Sequence, residues 1–353
     1  MKRTIVLLGT VLLLAVLVIG GGCERKVVIE QGDDLIASNN CFTCHGDEGI
    51  LSAAKGEWQN SIHASGNNVD YTNRGGTDCT ACHDHQGFLD FTSTGEVDSP
   101  YDMVSSIHCF TCHAPHTRGD LTLREIGPYT LINGDVFDHG AANLCVNCHH
   151  SRLSASSITA DQSVNRYWGP HHGPQGDLLN ASNGYEFAGY EYGNTGHANN
   201  FDNSGCIGCH MGNPRTHVGY KIGGHSFNMI DEESGATLVG VCETCHPEAE
   251  DYDIDGVQTE VGELLEDLEA LLFAEGIVDI SGNTLTGTIA DINVAGALFN
   301  YKMVEEDRSH GIHNPEYIID LLESSIAYLE SLGAKKLSPN GIAGLDMTPV
   351  SAH

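Results

Sequence analysis

Positive charge is what the chain has least of. Of its 353 residues only 16 are Lys or Arg, against 48 Asp and Glu, giving a formal net charge of -32. The basic residues are scattered, which argues against nucleic acid, whose phosphates demand clustered Lys and Arg. Aromatic residues make up 7% and charged residues 18%. An ordinary apolar core would be thin for this length, and the 42 glycines read as many loops and turns. Either the chain is loosely folded or something other than side chains fills its interior. The acidic balance reads as a solvated surface.

Long apolar runs are also missing, apart from one. Lys2 and Arg3 precede an apolar stretch from Ile5 to Ile19, which is short for a membrane span and has the shape of a signal peptide over residues 1–22. It meets Gly20, Gly21, Gly22 and then Cys23. Small residues before a single cysteine resemble a bacterial lipoprotein cleavage site, with the departure that Gly20 stands where Leu is usual. On that reading Cys23 carries acyl chains that anchor the protein, and residues 23–40 form a tether. Glu24 leans toward the outer membrane by analogy with lipoprotein sorting. A simple cleaved signal is the alternative; either way the chain is exported, to the periplasmic face or to the outer membrane and cell surface.

Cysteine is abundant, with 13 residues. Apart from Cys23, every cysteine falls in a C-x-x-C-H unit: Cys41, Cys44, His45; Cys79, Cys82, His83; Cys109, Cys112, His113; Cys145, Cys148, His149; Cys206, Cys209, His210; and Cys242, Cys245, His246. We number these motifs one to six. C-x-x-C-H is the attachment motif of c-type haem. Two thiols in one turn reach the two vinyl groups on one porphyrin edge, and the next residue points an imidazole at the iron. Zinc sites and disulfides use paired cysteines too, but neither demands a histidine after every pair. The motifs therefore imply six covalent haems c with their irons, and porphyrin supplies the apolar interior that the side chains do not.

Six of the 20 histidines close the motifs, which leaves 14. Six irons with two imidazoles each need six of these; Met would raise the potential, but few methionines are suitably placed. The candidates are His63, His116, His139, His172, His197, His225 and His313, one more than required. His116, three residues after His113, is the weakest. His172 is preferred narrowly over its neighbour His171. His85, His108, His150 and His217 read as packed, surface or propionate-bonding groups, His353 as solvated, and His310 as a partner of a propionate or of the His313 neighbourhood.

The expected fold is mainly α with much irregular loop, wrapped around stacked haems, and closed by a C-terminal cap of long helices. Residues 41–250 hold the motifs. After Pro247 the pattern changes. Val257, Val261, Leu264, Leu265, Leu268, Leu271 and Leu272 recur at helical spacing. A second helix is expected from about Ile289 to Glu306. A third starts at Asn314 as N-cap with Pro315 in the first turn, shows Ile318, Leu322, Ile326 and Leu329 on one face, and stops at Gly333. The cap spans 251–335 and contributes a sixth ligand; 336–353 is a tail.

"CIGCHMG", "GGHSF", "CETCH", the long helices and "HGIHNPEY" together resemble the nitrite reductase, hydroxylamine oxidoreductase and octahaem tetrathionate reductase group over about residues 140–332. The resemblance implies distal-ligand roles for His225 and His313. The chain departs from it in having no C-x-x-C-K and in its number of motifs. Two functions stay open. One is an electron carrier of anaerobic respiration, exchanging electrons with quinol-linked or other cytochromes. The other is a reductase of nitrite, hydroxylamine or a sulfur oxyanion with one open haem. The surplus histidines also leave room for a homo-oligomer or filament in which one ligand comes from the next subunit. Intact-mass measurement on the exported protein should show six haem increments, and the double change Cys242→Ala, Cys245→Ala should remove one.

Overall fold

The structure is a computed structural model and describes residues 49–65, 77–97, 104–115, 121–195, 197, 204–214 and 219–333. Cys23, Cys41, Cys44, His45 and His116 lie outside the described residues, as do the leader, the tether and the 336–353 tail.

The first part of the described chain is built from short helices: α1 Gly49–Trp58, α2 Thr77–His83, α3 His85–Thr94 and α4 Cys109–Cys112. Asp84 separates α2 from α3. Its carboxylate accepts from Gly87 N at 2.9 Å, capping α3, and from Ser105 N at 2.7 Å. A side chain at Gly87 would run into the Thr80 carbonyl, so the two helices turn against each other where only glycine fits. The α1 end is tied down by Trp58, whose Nε1 donates to Ile107 O at 3.1 Å.

The middle holds α5 Asn143–Val146, α6 Gln175–Leu179 and α7 Gly205–His210, with loops and two-residue or three-residue strands between them. Among the described residues the strands form three antiparallel pairs: Tyr129–Thr130 with Val136–Phe137, Gln162–Val164 with Gly287–Ile289, and Ile230–Asp231 with Ala236–Thr237. The fold is helix-rich with little sheet and much loop.

The C-terminal part is α8 Val257–Ala274, α9 Ile292–Asp307 and α10 Pro315–Ser331. The apolar stripe of α8 buries Val261, Leu268, Leu271 and Leu272. Helix α9 is buried nearly all round, from Val294 through Tyr301 and at Met303 and Val304, so it is the centre of the group. It starts three residues later than its sequence pattern suggests. Ile289 belongs to a strand, and the Asp291 carboxylate caps the helix by accepting from Asn293 N at 2.8 Å. Asn314 does precede α10, but its side chain does not cap it; Oδ1 accepts instead from Thr195 N and Oγ1, both at 3.0 Å. No helix among the described residues is long and apolar enough to cross a membrane.

The loop between motifs four and five shares this core. Ala155, Ile158, Val164, Leu178 and Phe187 pack with the three helices. Buried Asn300 pins the loop: Oδ1 accepts from Tyr185 N at 2.7 Å, while Nδ2 donates to Tyr185 O at 2.9 Å and to Ser325 Oγ at 3.0 Å. Both donors and the oxygen of that amide are thus paired, which offsets the cost of burying it. The Tyr185 ring lies so close to α9 that a Cβ on Gly296 would fall 2.2 Å from it. Helix propensity favours Ala over Gly by up to about 1 kcal/mol, but forcing this contact apart costs about 1–3 kcal/mol. Gly296→Ala should therefore lower the thermal midpoint of the holoprotein; a rise would show that the loop yields freely.

Candidate haem centres

Each described motif lies on a helical turn. Motif two ends α2, motif three forms α4, motif four spans the end of α5, motif five lies in α7, and motif six begins inside a 3-10 turn at Val239–Thr244. Residues three apart share a helix face, so both sulfurs of a motif point the same way. The turn is then closed onto the first cysteine, by His113 N to Cys109 O at 2.8 Å, His149 N to Cys145 O at 3.0 Å, and His246 N to Cys242 O at 2.8 Å. That bond fixes where the histidine leaves the turn. All ten described motif cysteines are free thiols. Among the described residues no three His, Cys, Asp or Glu side chains converge as a zinc cage would require.

Four motif histidines each face a second histidine from a remote part of the chain. Ring centres are 6.2 Å apart for His149 and His63, 6.2 Å for His113 and His225, 6.3 Å for His246 and His197, and 6.4 Å for His210 and His313. A metal between two imidazoles, with bonds of about 2 Å and ring centres about 1.1 Å beyond each nitrogen, puts the centres about 6 Å apart. The four gaps are thus the width of one bis-imidazole iron. The described histidine pairs that involve no motif histidine are closer, at 4.1 Å for His85 with His108 and 4.8 Å for His171 with His172. Rings of other types also pair at about the wider separation, as Trp168 and Phe299 do at 6.1 Å.

The other ring nitrogen of most of these histidines has an oxygen acceptor. Nδ1 meets Thr122 O at 3.3 Å from His113, Gln175 Oε1 at 3.1 Å from His149, and Phe227 O at 3.0 Å from His210. It meets Ile312 O at 2.6 Å from His197, Glu57 Oε2 at 3.3 Å from His225, and Asp307 Oδ1 at 2.6 Å from His313. An Nδ1–H donated to oxygen leaves the Nε2 lone pair free, which is the form a metal needs. Burial, followed by the charge of His149, pulls His63 down to about 4, so it too is neutral near pH 7. The donor set fits haem iron.

The remaining candidates are placed differently. His139 packs its ring edge-on against Phe137 at 4.5 Å, and its Nε2 is buried with no hydrogen-bond partner. His172 is more exposed, with Nδ1 2.7 Å from Glu306. His171 and His172 both lie within electrostatic range of His83 in motif two, as does Arg152. The oxygens that hold the Nδ1 atoms were not foreseen from sequence. Gln175, Glu57 and Asp307 carry no motif, and carbonyl acceptors leave no trace in side-chain identity.

The motifs are also close to one another. Cys82 of motif two contacts Cys148 of motif four, and Cys145 of motif four contacts Cys206 of motif five. Cys112 of motif three lies near Cys148, and Cys242 of motif six lies near Cys209 of motif five. Motif four is therefore a junction, flanked by two, three and five, and motif five links it to six.

Paired thiols and facing imidazoles on short helical turns joined by loops are arranged in the fold of a multihaem cytochrome. The solved structure of the outer cell wall cytochrome OcwA shares it, with a TM-score of 0.50 and 22% identity over 77% of this chain and 49% of that one. The undecahaem cytochrome from the S-layer of Carboxydothermus ferrireducens is also similar, with a TM-score of 0.46 and 19% identity over 78% of this chain and 41% of that one. The chain spans about half the length, or less, of these structures. No protein-family model and no curated protein matches the sequence.

One acid beneath motif four has a pH consequence. The side chain of Asp177 is fully buried; its Oδ2 accepts from Ser151 N at 2.6 Å while Oδ1 has no partner. Burial pushes its carboxyl up to about 6. A carboxyl raised on folding favours the folded state while protonated, so its contribution is present below about pH 4 and is lost as pH rises through about 6, by up to about 3 kcal/mol. Asp177→Asn should abolish that slope in denaturation measured from pH 4 to 7; an unchanged slope would place the titration elsewhere.

Proposed function

We propose that the chain is an exported c-type cytochrome that carries six haems and moves electrons along them. The observation that supports this most is the set of four facing imidazole pairs, each spaced for one iron. His149 with His63, His113 with His225, His246 with His197, and His210 with His313 would hold four of the irons. The ten described motif cysteines, with Cys41 and Cys44, would hold the porphyrins as thioethers. Haem iron between two fixed imidazoles exchanges one electron without changing its ligands, which is the chemistry of a carrier.

The protein's own part is positioning. The motif turns aim the proximal imidazoles, the Nδ1 acceptors fix the tautomer and tilt of the partners, and the contacts between motifs two, four and five bring neighbouring centres close. His45 and His83 are the proximal ligands of the other two irons, with His116, His139 and His172 as the remaining distal candidates. We place the protein in periplasmic or extracellular anaerobic respiration, anchored through a lipid on Cys23, with other cytochromes or quinol-linked proteins as partners. The likeness to a cytochrome described as belonging to the outer cell wall agrees with a surface location.

A second reading has a specific observation behind it. Arg152, His171 and His172 gather near His83, and such donors suit an oxyanion at the motif-two iron. The chain would then be a reductase of nitrite, hydroxylamine or a sulfur oxyanion, in line with the group that its second half resembles. Paramagnetic resonance of the ferric protein separates the two. A carrier gives six low-spin haems that ignore nitrite and cyanide; a high-spin haem that responds to either supports the reductase. In the same spectra, His313→Ala and His225→Ala should each convert one low-spin haem to high-spin. A spectrum unchanged by both would contradict the proposed ligand pairs.

A further inference from the structure

Asp307 is an expensive residue in an unfavourable place. It is the last residue of α9, where the helix dipole disfavours negative charge. Its carboxylate is 0% exposed. Among the described ion pairs it meets no Lys or Arg, only His313, and the neighbouring Arg308 turns to Glu306 instead. One oxygen takes the His313 Nδ1 at 2.6 Å, and the other bonds Ser309 Oγ. A buried charge is normally retained only where it is well paired or useful.

Among the described contacts no other histidine of a facing pair meets a fully buried carboxylate. His113, His197 and His210 give Nδ1 to backbone carbonyls, and His149 to an amide. His225 does meet a carboxylate, but the Glu57 contact is longer, at 3.3 Å, and the two side chains are 35% and 25% exposed. Water screens that pair far more than it screens Asp307.

We infer that Asp307 holds the iron of motif five at a lower reduction potential than the irons of motifs four and six, and so divides the haem row there. The inference rests on the ligand pairs proposed above. Two effects act with the same sign. A carboxylate that draws on the Nδ1 proton makes Nε2 a stronger donor, which favours the ferric state. A nearby unscreened negative charge favours the ferric state as well. The position gives this a consequence. Cys206 contacts Cys145 of motif four, and Cys209 lies near Cys242 of motif six. An electron passing between those two motifs must cross the centre that is hardest to reduce. Motif six then exchanges with the cluster around motif four over a step that one side chain sets.

The test is a spectroelectrochemical titration of the full-length holoprotein. Asp307→Asn should raise one reduction step, lying below those of motifs four and six, by at least tenfold in its one-electron equilibrium, about 59 mV, while Asp307→Glu moves it less. Glu57→Gln should move a different step, and by less. Ser309→Ala frees more of the carboxylate for His313 and should lower the same step, which keeps the inference testable if Asp307→Asn yields no holoprotein. If neither Asp307→Asn nor Ser309→Ala moves a step, or if the step moved lies above the steps that His63→Ala and His197→Ala displace, the inference is wrong. The ligand reading fails separately: His313→Ala would then leave every haem low-spin.

Discussion

The structure depends on the spacing of four pairs of imidazoles. Four times over, an imidazole on a short helical turn looks across about one iron's width at an imidazole from far along the chain. Other ring pairs reach a similar separation, as Trp168 and Phe299 do at 6.1 Å; what sets these four apart is that each joins the histidine of a motif to a histidine distant in sequence. The backbone keeps the rings apart by fixing each from behind, through the closed Cys–His turn on one side and an oxygen on Nδ1 on most of the others. The thin aromatic content and the abundance of loop follow, since the interior is shaped for a cofactor.

The C-terminal helices serve the same constraint. Their core is conventional, a buried α9 packed with α8 and α10 and with the Tyr185 loop pressed onto it. Its ends carry the chemistry. Asp307 closes α9, His313 lies in the link to α10, and the Ile312 carbonyl holds His197. A helical group bound to the rest only by apolar contact would leave those rings free to drift; here Asn300 and Asn314 lock it to the 180s and 190s loops by hydrogen bonds.

Much of this is legible in the sequence, for identifiable reasons. The motif turns are local, so six repeats of one pattern announce them. Helices α8 and α10 each bury one face, and their 3.6-residue periodicity shows. Helix α9 is buried on all sides and carries no such period, so its start is misplaced by the apolar Ile289, which pairs as a strand. His63, His197, His225 and His313 stand out as candidates from context and do face motif histidines. His139 and His172 look equally good in sequence; their described neighbours are Phe137 for one and Glu306 for the other, and His172 also lies within electrostatic range of His83. Asp307 is invisible in sequence, one acid among many, and gains meaning only from its burial against His313.

The central claim is that the facing imidazoles bracket metal. Anomalous diffraction at the iron edge from crystals of the holoprotein tests it most directly. The account predicts one iron midway between the rings of each pair: His63 and His149, His113 and His225, His197 and His246, and His210 and His313. Irons bound on one side only, or an iron whose second ligand is a residue other than the facing histidine, would contradict it.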